Sequence, residues 1–315
     1  MFKKDLPRAH RSPAHPILEP RQETKYWWEA NGIFNAGVAD YRGRVVLLYR
    51  AYDQFRISRL GYAESEDGVH FTQRDLPAID TKPDDEYERI CIEDPRITQI
   101  GDTYYVVHTS ASYYEVGHKA DVTGVMDYMP WRVRVGLHST KDFKKFKHHG
   151  VILNDIPAKN GMLLPEKING QFALYYRQHI DGQEFFKIAF SADLKEWGGI
   201  QEITWPHPEE WQRSKFGLGS QPIATPEGFL LVYHAVDAQQ VYRLGLALFD
   251  RTDPTKMIWH SGPILEPTMP YEKEGFIPNV VYTCGALIRN EELWIYYGSA
   301  DRVIGRAMLP LKDIL

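Results

Sequence analysis

An all-β fold, a five-bladed β-propeller, is predicted by three observations on the sequence. Five apolar, β-prone runs recur at residues 45–50, 104–108, 172–177, 229–234 and 293–298, each after a turn of Gly, Asp, Asn or Glu. Their spacing is nearly constant: from Arg50 through His108, Arg177 and His234 to Gly298 the intervals are 58, 69, 57 and 64 residues. Each run is also flanked by a short strand before it and by a second strand and polar turn after it. Three or four antiparallel strands per unit, repeated around an axis, describe a propeller. A β-sandwich with accidental internal similarity is the alternative.

Taken in order, the first unit reads as strands at 36–41, 45–50 and 60–64, closed by the polar turn Ser65-Glu66-Asp67-Gly68. The second reads as 97–100, 104–108 and 133–138 with the turn Ser139-Thr140-Lys141-Asp142, and the third as 165–168, 172–177 and 187–190 with Ser191-Ala192-Asp193. The fourth has 222–225, 229–234 and 244–249, and the fifth 284–288, 293–298 and 304–308. Each assignment rests on Val, Ile, Leu, Tyr and Phe gathered between turn residues. The longest interval contains residues 112–131, read as a short helical or lid insertion in the second blade, over the pocket mouth. A Pro- and Trp-rich stretch at 205–214 reads as a loop near the same face. Residues 1–30 form an N-terminal arm, and with exposed Trp27-Trp28 they are a candidate contact for a homo-oligomer. No linker composition divides the chain, so a single domain over 1–315 is expected.

Composition narrows the function. With 43% apolar and 25% charged residues and a net charge of -5 spread without blocks, nothing marks a nucleic-acid footprint or a membrane surface. Lys3, Lys4, Arg8 and Arg11 have no apolar run behind them, so no signal peptide and no membrane span are read, and a cytoplasmic location is expected. Cys91 and Cys284 match no metal spacing and read as buried free thiols. His10, His15, His118 and His148-His149 lack ligand company in the sequence, so no metal and no organic cofactor are expected.

The repeat aligns residues that would converge on one central pocket. The column at the end of the five runs holds Arg50, His108, Arg177, His234 and Gly298, and three residues on it holds Asp53, Ala111, Ile180, Asp237 and Asp301. Polar side chains where apolar runs have just ended point to a polar ligand. Asn35 and Asp94 stand near the starts of their strands. Ile92-Glu93-Asp94-Pro95-Arg96 places a carboxylate at a strand start, fixed by a proline and an arginine, and makes Asp94 the candidate proton donor. An inverting glycoside hydrolase needs a second carboxylate to activate water. Around this acid the sequence sets cations instead: Arg50, Arg177 and Lys215, which stands two residues ahead of Gly217-Leu218-Gly219, whose backbone N–H groups are read as able to approach an anion. Excess cation beside a single acid suits phosphate, which arrives ionised and needs no general base.

At these residues the chain resembles glycoside hydrolase family 130, the five-bladed mannoside phosphorylases. The motifs run over nearly its whole length: Gly32-Ile33-Phe34-Asn35-Ala36-Gly37, Ser65-Glu66-Asp67-Gly68, Glu93-Asp94-Pro95-Arg96, Leu164-Pro165-Glu166-Lys167, Lys215-Phe216-Gly217-Leu218-Gly219, Tyr233-His234, Gly275-Phe276-Ile277-Pro278-Asn279 and Tyr297-Gly298-Ser299-Ala300-Asp301. The resemblance implies inverting phosphorolysis: a β-mannoside and inorganic phosphate, a co-substrate, give α-mannose 1-phosphate and a shortened sugar. It implies Asp94 as catalytic acid, acting through the mannose 3-hydroxyl. It places Lys159, Arg177, Lys215, His234 and Tyr242 on the phosphate, and Asn35, Arg50 and Asp301 on the mannose transferred. Tyr175-Tyr176-Arg177 departs from relatives that carry a histidine before the arginine, and Ala36 from those with serine, which leaves acceptor and linkage open; β-1,2-linked mannobiose or short oligomannosides are favoured, with β-1,4 linkage to mannose, glucose or N-acetylglucosamine as the alternative. An inverting β-mannosidase and a non-catalytic sugar-binding propeller remain the alternatives; hydrolytic members lack the cationic set that Arg177 and Lys215 keep here.

Overall fold

The protein is described by a computed structural model over residues 4–115, 117–122, 129–153, 156–205 and 208–315, and it is all-β. Five antiparallel units follow one another. The first comprises Gly32–Tyr41, Arg44–Tyr52, Ser58–Ser65 and Thr72–Gln73; the second Cys91–Ile100, Thr103–Tyr113, Trp131–Thr140 and Lys147–Val151. The third comprises Ala158–Leu163, Phe172–Ile180, Gln183–Ser191 and Gly198–Glu202. In the fourth, Lys215–Leu218 and Ile223–Thr225 both pair with Gly228–Val236, which is followed by Tyr242–Phe249 and Met257–His260. The fifth holds Val281–Arg289, Glu292–Ser299 and Val303–Pro310, and His10–Arg11 completes it by pairing with Met308 and Ala307. One parallel pairing, Ser58 with Cys91, joins the first two units into a single sheet.

The apolar runs are continuous because both faces of each are buried. In the first unit Val45, Leu47 and Tyr49 pack with Leu287, Trp294 and Tyr296 of the fifth, while Val46 and Leu48 pack with Ile97, Val106 and Phe143 of the second. The same alternation joins the second unit to the third through Val107, Leu137 and Leu174, the third to the fourth through Tyr175 and Leu231, and the fourth to the fifth through Val232 and Ile295. Hydrogen bonds follow the same circuit: Thr98 Oγ1 donates to Leu163 O (3.0 Å), Gln221 Nε2 to Ala286 O (2.6 Å), and Tyr296 OH to Gly68 O (3.0 Å).

The repeat extends to the turn after the third strand. Ser65 Oγ accepts from Gly68 N, Thr140 Oγ1 from Phe143 N and Ser191 Oγ from Leu194 N, each at 2.9 Å. The donating residue is left-handed in all three, with φ of 74° at Gly68, 54° at Phe143 and 67° at Leu194. Only the first demands glycine for space, since a Cβ at Gly68 would lie 2.5 Å from the Trp294 ring.

Several sequence expectations change here. The third unit opens at Ala158–Leu163, not at 165–168, where Pro165 begins a turn. That segment, Ala-Lys-Asn-Gly-Met-Leu, is too polar to read as a strand, yet its Gly161 lets the backbone pass Val135 with no room for a Cβ (2.6 Å). Of the 112–131 insertion, residues 116 and 123–128 lie outside the described residues, and the described part contains no helix. It is anchored through Asp121, whose Oδ2 accepts from Arg134 Nη1 (2.7 Å) and Val133 N (2.9 Å). In the 205–214 stretch, where 206–207 lie outside the described residues, Glu210–Gln212 forms a 3-10 turn. Trp28 is not exposed: it is 2% accessible, its Nε1 donating to Asp75 O, and only Trp27 faces outward. Among the described residues no helix is long and apolar enough to cross a membrane.

Candidate active site

In each of the first three units the opening strand breaks register once, between Phe34 and Gly37, between Glu93 and Arg96, and between Lys159 and Met162. At each break one residue is left-handed: Asn35 (φ 49°), Asp94 (φ 55°) and Asn160 (φ 55°). Asn and Asp bear this conformation better than other residues with a Cβ, and a bulge re-aims side chains out of the ladder. Three short polar side chains are thereby turned toward one cavity of about 590 Å³. All nine residues to which the family resemblance gives a role line it: Asn35, Arg50, Asp94, Lys159, Arg177, Lys215, His234, Tyr242 and Asp301.

One wall is acidic and organised by Arg50. Its Nη1 contacts Glu93 Oε2 and lies 3.5 Å from Asp94 Oδ1, while its Nε donates to Ser58 Oγ (3.0 Å). Asn35 Nδ2 donates to Asp94 Oδ1 at 2.9 Å. Arg96, fully buried, donates to Asp94 O (3.0 Å), Gly219 O (2.6 Å) and Tyr282 OH (3.1 Å), so it holds the bulge in place from behind. Burial alone would raise the Asp94 carboxyl; Arg50, Arg96, the Asn35 hydrogen bond and Lys159 outweigh it and hold the group below the usual range. Asp301 goes the other way. Burial, with Asp94 and Glu93 adding repulsion, pushes it up to about 7 against the pull of Arg50 and Arg56.

A raised carboxyl lowers stability as pH rises. The unfolded chain loses this proton near 3.8 and the folded chain only near 7, so between those values the folded state binds more protons and stability falls by about 1.4 kcal/mol per pH unit. Asp301→Asn is therefore expected to gain in Tm over the parent as pH climbs from 4 to 7, with a constant difference beyond; thermal melts across that range check it. A difference independent of pH would mean that Asp301 does not titrate there.

The opposite wall is cationic. Lys159 and Arg177 face one another across the first two strands of the third unit, and Lys215 opens the fourth. Arg177 Nη1 is 3.3 Å and Lys215 Nζ 3.6 Å from the two oxygens of Glu184. Even so, Arg177 Nε and Nη1 and His234 Nδ1 are buried without a hydrogen-bond partner. Buried donors in that state are costly unless a ligand takes them. Arg177 first, then burial and Lys159, push the Lys215 ammonium down to about 8 against the pull of Glu184. Burial, reinforced by Arg177, Lys215 and Arg96, keeps His234 neutral. A smaller cavity of about 470 Å³ shares Lys159, Arg177 and Lys215 and continues along Glu184 and His179.

The glycines beside Lys215 serve packing, not anion contact. Lys215–Leu218 is a paired strand, and Leu218 O and Gly219 O accept from Arg96. A Cβ at Gly217 would stand 2.4 Å from His234 Cε1 and 2.8 Å from Arg177 Nη1. Gly217→Ala is expected to displace both side chains at a cost of about 1–3 kcal/mol, read as a raised phosphate KM with little change in the sugar KM.

Other column members fall outside the site. Arg50 and Arg177 pair with the residue just before each bulge, Phe34 and Lys159; in the second unit the residue so paired, with Glu93, is Thr109. His108 is one position off and so projects from the opposite face, where it meets His138 and Glu88. Asp53 and Asp237 build turns: each accepts from two backbone N–H groups and binds an arginine, Arg59 at 2.8 Å and Arg243 at 2.6 Å. His148, without ligand company in the sequence, stands beside Glu88 and His138 in the fold. Residues the sequence reading passed over include Glu93, Asn160, Glu184 and Tyr282, whose OH accepts from both Arg96 and Asn160 (2.6 Å). Asn160 alone had a signal: Lys159-Asn160-Gly161 repeats the pattern of Phe34-Asn35-Ala36.

Comparison with known proteins identifies the family. Residues 8–315 match the profile of glycoside hydrolase family 130, described as beta-1,4-mannooligosaccharide phosphorylase. A 1,2-beta-oligomannan phosphorylase of Thermoanaerobacter sp. (strain X514) is 39% identical over 308 residues, covering 95% of this chain and 96% of that protein. A beta-1,2-mannobiose phosphorylase of the same organism is 36% identical over 313 residues, covering 95% and 96%. The structure of the beta-1,2-mannobiose phosphorylase of Listeria innocua, in complex with beta-1,2-mannobiose, superposes with a TM-score of 0.82 at 29% identity, over 97% of this chain and 98% of that one. The chain belongs to glycoside hydrolase family 130.

Proposed function

We propose that this protein is an inverting β-mannoside phosphorylase, transferring a terminal mannosyl residue to inorganic phosphate to give α-mannose 1-phosphate and a shortened sugar. What carries the reading is the division of one cavity into an acidic wall around Asp94 and a cationic wall where Arg177 Nε and Nη1 and His234 Nδ1 are buried without a hydrogen-bond partner. In this reading Lys159, Arg177, Lys215, His234 and Tyr242 bind the phosphate, whose oxygen attacks the anomeric carbon from the face opposite the departing sugar. The glycosidic bond breaks as the new C–O bond forms, and the leaving oxygen takes a proton that originates on Asp94, relayed by the mannose 3-hydroxyl. Asn35, Arg50 and Asp301 hold the mannose. While paired with Arg50, Asp94 favours its ionised form and has no proton to give; a sugar hydroxyl inserted between them loosens that pair and raises its affinity for a proton, so that it takes one up before relaying it.

The five units, linked in a circuit with the cavity where their first strands converge, are read as the blades of a five-bladed propeller forming one catalytic domain. Cys91 and Cys284, both buried and unpaired, suit a reducing cytoplasm. The linkage we infer is β-1,2, because the two relatives and the solved structure described above are all named for it. Reverse synthesis from α-mannose 1-phosphate with mannose as acceptor tests both parts. A β-1,2 product identified by NMR is the expected result; a β-1,4 product overturns the linkage, and free mannose released from mannobiose without phosphate overturns phosphorolysis.

A further inference from the structure

A second set of convergent polar side chains lies away from the cavity, in the outer part of the second unit. His138 pairs directly with His148 on the neighbouring strand and with Val106 on the other side, two residues before His108, so all three imidazoles share one face. His108 lies over Gly136, where a Cβ would come within 2.3 Å of its ring. Glu88 reaches the same face from the segment that leads into Cys91–Ile100. Its side chain is 1% exposed, and its Oε2 is 3.0 Å from His148 Nε2, yet that oxygen makes no hydrogen bond. A buried carboxylate oxygen in that state calls for a partner. Ligand atoms of Glu88, His138 and His148 all lie within 4.8 Å of one another. Ligands held at about 2.0–2.2 Å around one tetrahedral ion are roughly 3.3–3.6 Å apart, so these side chains close by roughly 1 Å on an ion that binds.

We propose that Glu88, His138 and His148 form a binding site for a divalent late first-row transition cation such as Zn2+, tying the segment before the Asp94 strand to the outer strands of its unit. Two imidazoles and a carboxylate are the donor set such ions prefer over Mg2+ or Ca2+. His108 is a positioning residue: its Nε2 is 2.9 Å from His138 Nδ1, which fixes that ring and leaves Nε2 for the metal. Lys82 Nζ, 3.5 Å from Glu88 Oε2 and 36% exposed, is the competing cation and has a path to solvent. His148, 33% exposed, lies at the open side where water completes the coordination.

The test uses the untagged full chain, stripped with chelator and titrated with ZnCl2 by calorimetry, with Co2+ absorption as the spectroscopic readout. Expected are one equivalent bound per chain, the visible ligand-field bands of a low-coordinate Co2+ ion, and a Tm raised by Zn2+. His148→Ala, at a partly exposed position where folding is safe, abolishes all three, and Glu88→Gln does the same. His149→Ala, whose ring meets Ser139 Oγ instead, binds as the parent does. Lys82→Gln binds more tightly, and His108→Asn weakens binding roughly 10- to 100-fold and shifts the Co2+ spectrum. Absence of binding by the parent chain, or binding unchanged in His148→Ala, overturns the proposal. None of these readouts depends on mannoside turnover.

Discussion

Asp94→Asn is expected to lower kcat for phosphorolysis of β-1,2-mannobiose by about 10²- to 10⁴-fold, the range lost with a positioned general acid, while sugar binding stays within a few-fold of the parent. The substitution keeps size and an acceptor oxygen, so Asn35 Nδ2 and the Arg96 contact to the residue 94 carbonyl both survive. Arg50 retains Glu93 and Ser58. Asparagine also accepts the left-handed backbone that the bulge imposes, with φ of 55°. Only the exchangeable proton and the charge are removed. Steady-state rates of α-mannose 1-phosphate release, set beside calorimetric binding of mannobiose, separate the possibilities. Parallel loss of binding and turnover would make Asp94 a sugar contact and leave the acid to be found elsewhere, with Asp301 the next group to examine.

For Arg177→Ala and Lys215→Ala the effect falls on the other substrate. Each is expected to cost about 2–4 kcal/mol of transition-state stabilisation, read as a drop in kcat/KM for phosphate of roughly 30- to 1,000-fold with a much smaller change in the sugar KM. The two losses are not additive. Arg177 is the main cause of the depressed Lys215 pKa, so removing it returns the lysine toward its ordinary value and leaves a fully charged ammonium behind. The same coupling predicts a pH trend in the parent. Below about 8 Lys215 is charged and helps hold the anion; as pH rises through that value the charge is lost and the phosphate KM climbs. In Arg177→Ala that climb moves to higher pH. Equal effects on both substrates would detach these cations from phosphate.

Glu184 gives the cationic wall a further constraint. Its two oxygens lie 3.3 and 3.6 Å from Arg177 and Lys215 and so sit near where an anion would compete for them. In the proposed function, phosphate binding here is then in part an exchange of one anionic partner for another, which limits affinity while keeping the cations oriented.

Local signals in the chain were enough to set the all-β class and the five repeated apolar runs and to single out Asn35, Arg50, Asp94, Arg177, Lys215, His234 and Asp301, whereas Lys159 and Tyr242 came only through the family resemblance. An apolar run buried on both faces must be continuous, and a run of such length between turn residues is visible without knowing its neighbours. Asp94 and Asn35 were read as standing where their strands begin, whereas both lie inside longer strands, at the bulges of Cys91–Ile100 and Gly32–Tyr41. Register was not legible. A bulge adds one residue to one strand, and every side chain beyond it changes face, so His108 took the place in the column that belongs to Thr109, and the strand carrying Asn160 was placed too late in the chain. The partners Glu93, Glu184 and Tyr282, and the meeting of Glu88 with His138 and His148, come from segments tens of residues apart. The sequence by itself determined which residues carry charge and where the apolar runs lie; where the opening strands begin, which face each side chain presents, and what it meets there, only the packing of the units against one another decided.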